Sequence, residues 1–200
     1  MAVEILAFNK WSARDLVVTD PGLKDYMVLT PRIVPKSSGR YAGSRFHKSK
    51  IFIVERLINR LMVPGHRGKK HSKSSGRCTG KHAHASGLVK AAFEKIQQKL
   101  QKNPVEVFVQ AVQNAAPREE TITIEYGGAR YPRAVECSPQ RRIDLVLRYM
   151  TQGSYQRGFN TRKSAVDCLA DEIIGAYNLS QQSAAISKKL ELERQADASR

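Results

Sequence analysis

The chain has 200 residues, and its 41% hydrophobic and 7% aromatic content suits one modest, mainly aliphatic core. The formal charge is +16, and residues 26–93 carry +14 of it, because they hold fifteen Lys and Arg but only one carboxylate, Glu55. Such charge favours a polyanionic partner, for which nucleic acid is the natural candidate.

Other classes fit the composition less well. No apolar run approaches the ~20 residues that span a bilayer, and residues 1–10 resemble neither a secretory signal nor a mitochondrial presequence. Three scattered cysteines make a poor disulfide framework and fit the cytosol. Cys78, His82 and His84 could suggest zinc, but a structural zinc site needs four ligands at finger-like spacing. We therefore expect no metal and no cofactor.

Residues 1–48 form an N-terminal arm with little regular structure, because Pro21, Pro31 and Pro35 interrupt any long periodicity. Towards its end, cations alternate with aromatic residues, a pattern that can grip phosphates and stack on bases. The same aromatics could instead pack on the domain. The candidate nucleic-acid-binding cations in this arm are Arg40, Arg45 and Lys48.

The domain of residues 49–200 begins with a helix that carries Ile51, Val54, Ile58 and Leu61 at helical spacing. A basic loop without acids follows from Pro64 to His84, and its charge suggests that it orders on RNA or DNA. Its candidate contacts are Arg67, Lys69, Lys70 and Lys73. A second helix is predicted over residues 86–101, and a third begins with Asn103 as cap and Pro104 as first residue.

The periodicity changes to two over residues 121–137, which predicts a β-hairpin that turns at Gly127 and Gly128. Pro132 cannot donate a ladder hydrogen bond, so its strand has a free edge. A lone two-stranded ribbon is marginal in water, and we expect it to project from a helical body towards a partner.

Three further helices complete the chain. Ser138 and Pro139 begin the fourth, which places Arg141, Arg142 and Arg148 on or beside its outer face and ends at Gly153. The fifth covers residues 161–177, and Arg162 and Lys163 oppose its dipole, which hints at a bound phosphate. The last begins after Ser180 and is increasingly polar.

The ordered motifs resemble the small-subunit ribosomal protein S seven family over nearly the whole chain. They are the segments at residues 54–62, 103–108, 117–120, 134–142, 168–172 and 188–194. The arm, with Trp11-Ser12 and residues 38–42, resembles the eukaryotic cytosolic form, whose older name is S five. Two places depart from the pattern: the loop at residues 64–84 is longer than expected, and the returning strand contains Pro132.

The resemblance implies a mainly α fold: about six helices, one protruding two-stranded β-hairpin and an extended basic arm. It implies a structural constituent of the small ribosomal subunit, without catalysis, that binds the 3′ major domain of the rRNA and supports head assembly. The hairpin and the helix at residues 181–199 would line the tRNA exit site and the path of the mRNA. It implies residence in cytosolic ribosomes, with passage through the nucleolus during assembly.

The resemblance also supplies candidate residues and partners. In the hairpin they are Gly127, Gly128, Arg130, Tyr131 and Arg133, and in the last helix they are Lys188, Lys189, Arg194 and Arg200. The implied partners are small-subunit rRNA, mRNA, exit-site tRNA and neighbouring proteins of the head and platform. Neither a membrane nor a second copy of the chain is expected.

Three alternatives stay open to experiment. A nuclease could use Asp167, Asp171 and Glu172 to hold a metal, although a solvated acidic face that balances nearby cations fits better. A helix-turn-helix DNA binder is permitted by short helices and high charge. Membrane binding lacks a broad apolar face paired with a strongly basic one. For the rRNA-binding hypothesis, we expect charge reversal at Arg141 and Arg142 to weaken binding without unfolding the protein.

Overall fold

The computed structural model describes residues 4–40, 42–64 and 75–200. Two short elements lie in the arm and at its end: helix α1 (Pro21–Lys24) and a 3-10 turn (His47–Lys50). The domain then contains α2 (Ile53–Leu61), α3 (Ser75–Cys78), α4 (His82–Leu100), α5 (Pro104–Ala115), β1 (Glu119–Tyr126), β2 (Ala129–Glu136), α6 (Pro139–Gly158), α7 (Ala165–Tyr177) and α8 (Ala184–Asp197). The described residues thus confirm a mainly helical fold with one hairpin.

The helix starts follow capping chemistry. The Asn103 side chain accepts a hydrogen bond from the Val105 N–H at 3.0 Å, and Pro104 occupies the first turn, as predicted. Ser164 caps α7 in the same way, by accepting from the Asp167 N–H. These caps satisfy backbone donors that a helix start leaves without partners.

Helix α7 packs against α4, α5 and α6, and the main core lies among these four helices. The predicted stripe on α5 is buried along its whole length, with Val105, Phe108 and Val112 fully inaccessible to solvent. The Phe108 ring meets Phe93 of α4 at a centroid separation of 5.8 Å. The stripe is therefore core and not a binding surface, as its spacing indicated.

The first part of the arm belongs to this core. Trp11 is buried, its Nε1 donates to Gln97 Oε1 on α4 at 2.8 Å, and its ring packs edge-on against Phe93. Leu23 and Met27 are also buried. By contrast, Phe46 near the end of the arm is 50% exposed. Packing of the arm on the domain is thus observed for residues 7–27. Phe46 is exposed and accessible to a partner.

Helix α4 begins at His82 and α3 occupies residues 75–78, so the loop predicted up to His84 ends too late. The apolar stripe of α4 starts at Ala85, which is 4% exposed, and continues through Val89, Phe93 and Ile96. The helix therefore starts in the turn that holds the first buried residue of its stripe. That turn has neither an acidic residue nor a capping side chain, so the sequence lacks the usual signals of a helix start.

Gly153 does not end α6, which continues to Gly158, so that prediction is wrong. A Cβ at Gly153 would lie 2.5 Å from the Cβ of Ala184, in the first turn of α8. The glycine therefore permits close contact between α6 and α8, a role that sequence position does not distinguish from a helix stop.

Glu172 joins three helices at this contact. The buried carboxylate of α7 accepts from the Ser183 hydroxyl at 2.7 Å and from the Ala185 N–H at 3.1 Å, and Arg157 of α6 lies 3.3 Å away. Burial raises the pKa of Glu172, although these donors and the charge of Arg157 oppose the rise. Its carboxylate thus serves as the side-chain cap of α8.

The hairpin pairs β1 with β2 in antiparallel register, with Glu119 opposite Glu136 and Thr123 opposite Pro132. Gly127 and Gly128 have φ of +58° and +81°, as the tight turn requires. Within the described residues these two strands form the whole sheet. The C-terminal helix α8 contacts the base of the ribbon. The pairing begins two residues before the predicted start, and the outer part of the ribbon projects from the body.

Candidate nucleic-acid interface

A shared carboxylate ties the end of the arm to two helices. Asp144 of α6 accepts from Lys48 Nζ at 2.9 Å through one oxygen and from Arg56 Nη2 of α2 at 3.1 Å through the other. Arg56 is 6% exposed and also donates to the Tyr26 carbonyl. Burial lowers the pKa of Arg56 while Asp144 raises it, and the guanidinium remains charged.

One turn further along α2, Arg60 has no such partner. Its Nε is buried and makes no hydrogen bond within the described part of the chain. Burial and the neighbouring charge of Arg148 lower the pKa of Arg60, and Asp144 opposes them. Two guanidinium groups held near each other with one shared carboxylate in the vicinity favour a bound anion.

These side chains line a cavity of about 320 Å³ between the 3-10 turn, α2 and α6, which we call the basic cavity. Its charged and polar lining consists of four cations, one imidazole, one amide and a single carboxylate: Lys48, Arg56, Arg60, Arg148, His47, Asn59 and Asp144. Arg148 is exposed, so the cavity is open to a polyanion. The arrangement suits a phosphate group that Arg can bind with paired donors.

Of the cations named from the sequence, the structure brings Lys48 and Arg148 together in this cavity. Arg40 and Arg45 lie exposed on the arm, with the Arg45 guanidinium 5.2 Å from the centroid of the Phe46 ring. This contact joins a cation and an exposed aromatic ring, as the alternating pattern suggested. Arg67, Lys69, Lys70 and Lys73 lie outside the described residues.

Arg142 is buried and does not lie on or beside the outer face of α6, so its predicted placement is wrong. It is 9% exposed, and it donates to Asp20 Oδ2 at 2.7 Å and to the Pro117 carbonyl at 3.0 Å. Burial raises the pKa of Asp20, but the hydrogen bond and charge of Arg142, with the Gly22 N–H, produce a net lowering. Arg142 therefore serves the fold, and charge reversal there would also destabilise it.

Arg141 is exposed, yet it is not free. Its Nε and Nη2 donate to the two oxygens of Glu120 on β1 at 2.5 and 2.6 Å. Such paired geometry fixes the ribbon base against α6. An incoming phosphate would have to compete with this carboxylate.

Arg162 and Lys163 lie exposed immediately before Ser164, the cap of α7. Lys163 lines a second cavity, of about 700 Å³, with Lys99 and Arg157. Lys99 pairs with Asp171, and Arg157 with Glu172, so this cavity is closer to charge balance than the basic cavity.

The hairpin tip presents aromatic and basic side chains to solvent. Tyr126 is 81% exposed and Tyr131 is 58% exposed, and Arg133 is exposed on the same strand as Tyr131. Arg130 lies opposite Glu125, with its Nε 3.6 Å from a carboxylate oxygen. Aromatic rings beside cations are typical of surfaces that contact unpaired nucleotides.

The cations of α8, together with Arg200 just after it, divide into two groups. Lys189 donates to the Asn114 carbonyl at 2.8 Å, and Arg200 donates to both oxygens of Glu119 at 2.6 Å. These contacts hold α8 against α5 and the ribbon. Lys188 pairs with Glu191 on the surface, and Arg194 is exposed.

Sequence reasoning missed the residues at the centre of the basic cavity: His47, Arg56, Asn59 and Arg60. The available signal was the pair Arg56 and Arg60, four residues apart on one face of α2. Their position beside an apolar stripe made them look like surface charges, whereas packing against α6 encloses them.

The carboxylates considered for catalysis have structural partners. Asp167 and Asp171 of α7 form ion pairs with Lys95 and Lys99 of α4, and Glu172 lies on the buried side. Across the described residues, no group of three or more His, Cys, Asp or Glu could hold a metal ion. None of the helices in this part of the chain is long and apolar enough to cross a membrane.

Comparison with known proteins gives a family and close relatives. The family model described as ribosomal protein S7p/S5e matches residues 23–200. The chain is 51% identical to the small ribosomal subunit protein uS7 of Nanoarchaeum equitans, over 96% of the chain and 98% of the relative. Proteins of the same name from Archaeoglobus fulgidus and Cenarchaeum symbiosum are 43% and 45% identical, each over 98% of the chain and 96% and 97% of the relative. These relatives are archaeal, whereas the arm motifs had suggested the eukaryotic form.

Proposed function

Because the chain belongs to the ribosomal protein S7p/S5e family and is a structural, non-catalytic constituent of the small ribosomal subunit, we propose that its basic cavity binds the rRNA backbone. One observation carries this proposal: Arg60 and Arg148 lie together without an ion-pair partner among the described residues. A phosphodiester would satisfy both the charge and the buried Nε donor.

The work is electrostatic and geometric. Cations that neutralise phosphates lower the cost of bringing rRNA segments together, and released counterions supply much of the affinity. The exposed arm cations Arg40 and Arg45 and the loop before α7, with Arg162 and Lys163, extend the interface along the molecule. Contacts in the first half of α6 and in the loop that follows this helix would hold the 3′ major domain around one rigid element and so support head assembly.

The hairpin and α8 form the second part of the proposal. Exposed Tyr126, Tyr131 and Arg133 would contact exit-site tRNA or mRNA, and Lys188 and Arg194 would face the mRNA path. The resemblance supplies this orientation, and the exposure of aromatic and basic side chains supports it. The chain works in the ribosome, and passage through the nucleolus applies only if its host is a eukaryote.

Neutral substitution in the basic cavity tests the rRNA proposal. The double variant Arg60→Gln with Arg148→Gln should bind a 3′ major-domain rRNA fragment at least about tenfold more weakly, because charged hydrogen bonds are worth roughly 1.5–3 kcal/mol each. The matched control is Lys102→Gln with Lys10→Gln, which removes the same charge from side chains outside the cavity. Filter binding at fixed salt and circular dichroism would measure affinity and folding.

Equal affinities of the cavity variant and the control would contradict the proposal, since they would show that only net charge matters. If the cavity variant lost its native circular dichroism, the single variant Arg148→Gln would be measured in its place. That side chain is exposed, so its removal should leave the fold intact.

A further inference from the structure

One concavity of this basic protein has the opposite electrostatic character. A groove of about 610 Å³ lies between the arm and α5, and we call it the arm groove. Its lining includes Asp15, Leu16, Val17, Glu106, Val109 and Gln113. Among the described side chains that line it there are two carboxylates and neither Lys nor Arg. A groove of this charge repels RNA and attracts a cationic partner.

The carboxylates are available to such a partner. Asp15 and Glu106 are exposed, and neither is in an ion pair within the described part of the chain. Lys102 feels the charge of Glu106, but its ammonium donates to the Tyr177 hydroxyl at 3.0 Å. Lys102 does not line the groove.

Gln113 provides an independent sign of a missing partner. It is 8% exposed, and its Oε1 accepts from the Thr19 N–H at 2.8 Å, the Thr19 hydroxyl at 2.6 Å and the Asp20 N–H at 3.1 Å. Backbone N–H groups can only donate, so the oxygen must face the arm and the amide nitrogen must face elsewhere. That nitrogen, Nε2, is buried and has no hydrogen-bond partner among the described residues.

An apolar component accompanies these polar groups. Val17 is 73% exposed at the groove, and Leu16 and Val109 lie beside it. An exposed valine next to a buried amide donor and two carboxylates is complementary to a peptide with a free carbonyl, an apolar side chain and cationic side chains. RNA offers the carbonyl and the apolar base, but its phosphates would meet Asp15 and Glu106.

We propose that the arm groove binds an extended basic segment of another protein of the small subunit. Gln113 Nε2 donates to a backbone carbonyl of that segment, Asp15 and Glu106 receive its Lys or Arg side chains, and Val17 and Leu16 cover an aliphatic side chain. The choice of a subunit protein rests on the proposed function. Proteins that bind the same polyanion are themselves basic, which supplies segments of the required charge.

Site-specific crosslinking tests the groove in the assembled particle. The full chain with Val17→p-benzoylphenylalanine, assembled into small subunits and irradiated, should crosslink to a Lys- and Arg-rich segment of another subunit protein. Crosslinking to rRNA, or the absence of a protein crosslink from assembled subunits, would overturn the proposal.

Charge reversal makes the result specific. Asp15→Lys with Glu106→Lys should reduce the crosslink yield at least tenfold. Glu136→Lys with Asp197→Lys makes the same change of charge at exposed sites outside the groove, on β2 and α8, and should preserve the yield. An equal yield from both variants would show that the groove carboxylates take no part.

A measurement on the isolated chain separates this inference from the proposed function. A short fluorescein-labelled peptide of alternating Lys and Val is the probe, and the strong positive charge of the chain opposes its binding elsewhere. We expect a saturable anisotropy change that the groove variant loses and the control keeps, with shifted side-chain amide resonances of Gln113. The absence of a saturable change would overturn the proposed peptide binding by the groove, even if the chain binds rRNA as proposed. The peptide measurement remains valid if the chain fails to assemble into subunits.

Discussion

Arg141 and Arg142 show how the environment of a single residue decides its role. Adjacent helical residues point about 100° apart, so one side chain leaves α6 towards the ribbon while its neighbour enters the junction with the arm. Both donate to carboxylates, but the Arg141 side chain is 51% exposed and the Arg142 side chain 10%. Solvent screens the first pair, whereas the second is largely desolvated.

We therefore predict that Arg142→Ala lowers the free energy of unfolding by about 2–3 kcal/mol, because it leaves Asp20 and the Pro117 carbonyl without their donor. This is below the loss for a fully buried pair, since the Asp20 side chain retains 23% exposure. Urea unfolding followed by circular dichroism would measure the change.

Arg141→Ala is the matched control, and it should cost less than about 1 kcal/mol. Equal losses from the two substitutions would contradict the assignment of Arg142 to the fold. Unchanged stability in both would show that neither ion pair contributes measurably.

Candidate cations could be named from the sequence, but their pairing could not. Lys48 and the arm cations are candidates because a run of cations with a single acid must face solvent or an anion. The sequence could not reveal that Arg142 donates a hydrogen bond to Asp20, which is 122 positions away. It also could not reveal that Asp144 is shared by Lys48 and Arg56 while Arg60 lacks a partner.

At the scale of elements, helix packing distinguishes two glycines that both lie inside helices. One is in close contact with another helix, and the other is not. Gly153 in α6 faces α8, where an added Cβ would meet Ala184 at 2.5 Å and the Glu172 carboxyl at 3.1 Å. Gly87 in α4 is exposed and would meet nothing within 4 Å. Both occupy helix interiors, where alanine has the higher intrinsic propensity.

We predict that Gly153→Ala destabilises the protein by about 1–2 kcal/mol, because α8 must move and the overpacking outweighs the gain in helix propensity. Gly87→Ala should stabilise it by roughly 0.5–1 kcal/mol, since only the propensity changes. Thermal and urea unfolding of both variants would check these opposite signs. Stabilisation by both would show that α8 does not lie against Gly153.

Local signals predicted the elements where chemistry is local. Asn103 and Pro104 begin α5, and Gly127 and Gly128 turn the hairpin, since a cap or a positive φ is a property of a few neighbouring residues. The errors at Gly153 and His82 have a different origin. The first reflects contact with Ala184 of α8, which is distant in sequence, and the second reflects how the start of α4 packs in the tertiary structure.

At the scale of the whole molecule, charge separates surfaces with different partners. The basic cavity and arm cations gather positive charge around α2 and α6, whereas the arm groove beside α5 is lined by carboxylates. Aromatic residues add a separate feature, because Phe46 and the hairpin tyrosines are exposed beside cations. Binding to rRNA should therefore have an ionic component that salt weakens and a stacking component that salt affects little.

Two exposed side chains allow these components to be measured separately. Arg148→Gln should weaken binding to the rRNA fragment and reduce the log–log salt slope by roughly 0.7–0.9, the value for one phosphate contact. Phe46→Ala should weaken binding by about 1–3 kcal/mol, the cost of one lost base stack, and leave the slope unchanged because no charge is removed.

Filter binding over a salt series, with duplex DNA of equal length as competitor, distinguishes a shaped interface from general attraction. Duplex DNA offers phosphates but few splayed bases, so Phe46→Ala should hardly change its affinity, whereas Arg148→Gln should weaken both complexes. If Phe46→Ala lowered the affinity for DNA and rRNA equally, its ring would act only by holding Arg45, which lies over it at 5.2 Å. The protein would then bind both polymers through charge alone, and the distinction between the ionic and stacking parts of the interface would be wrong.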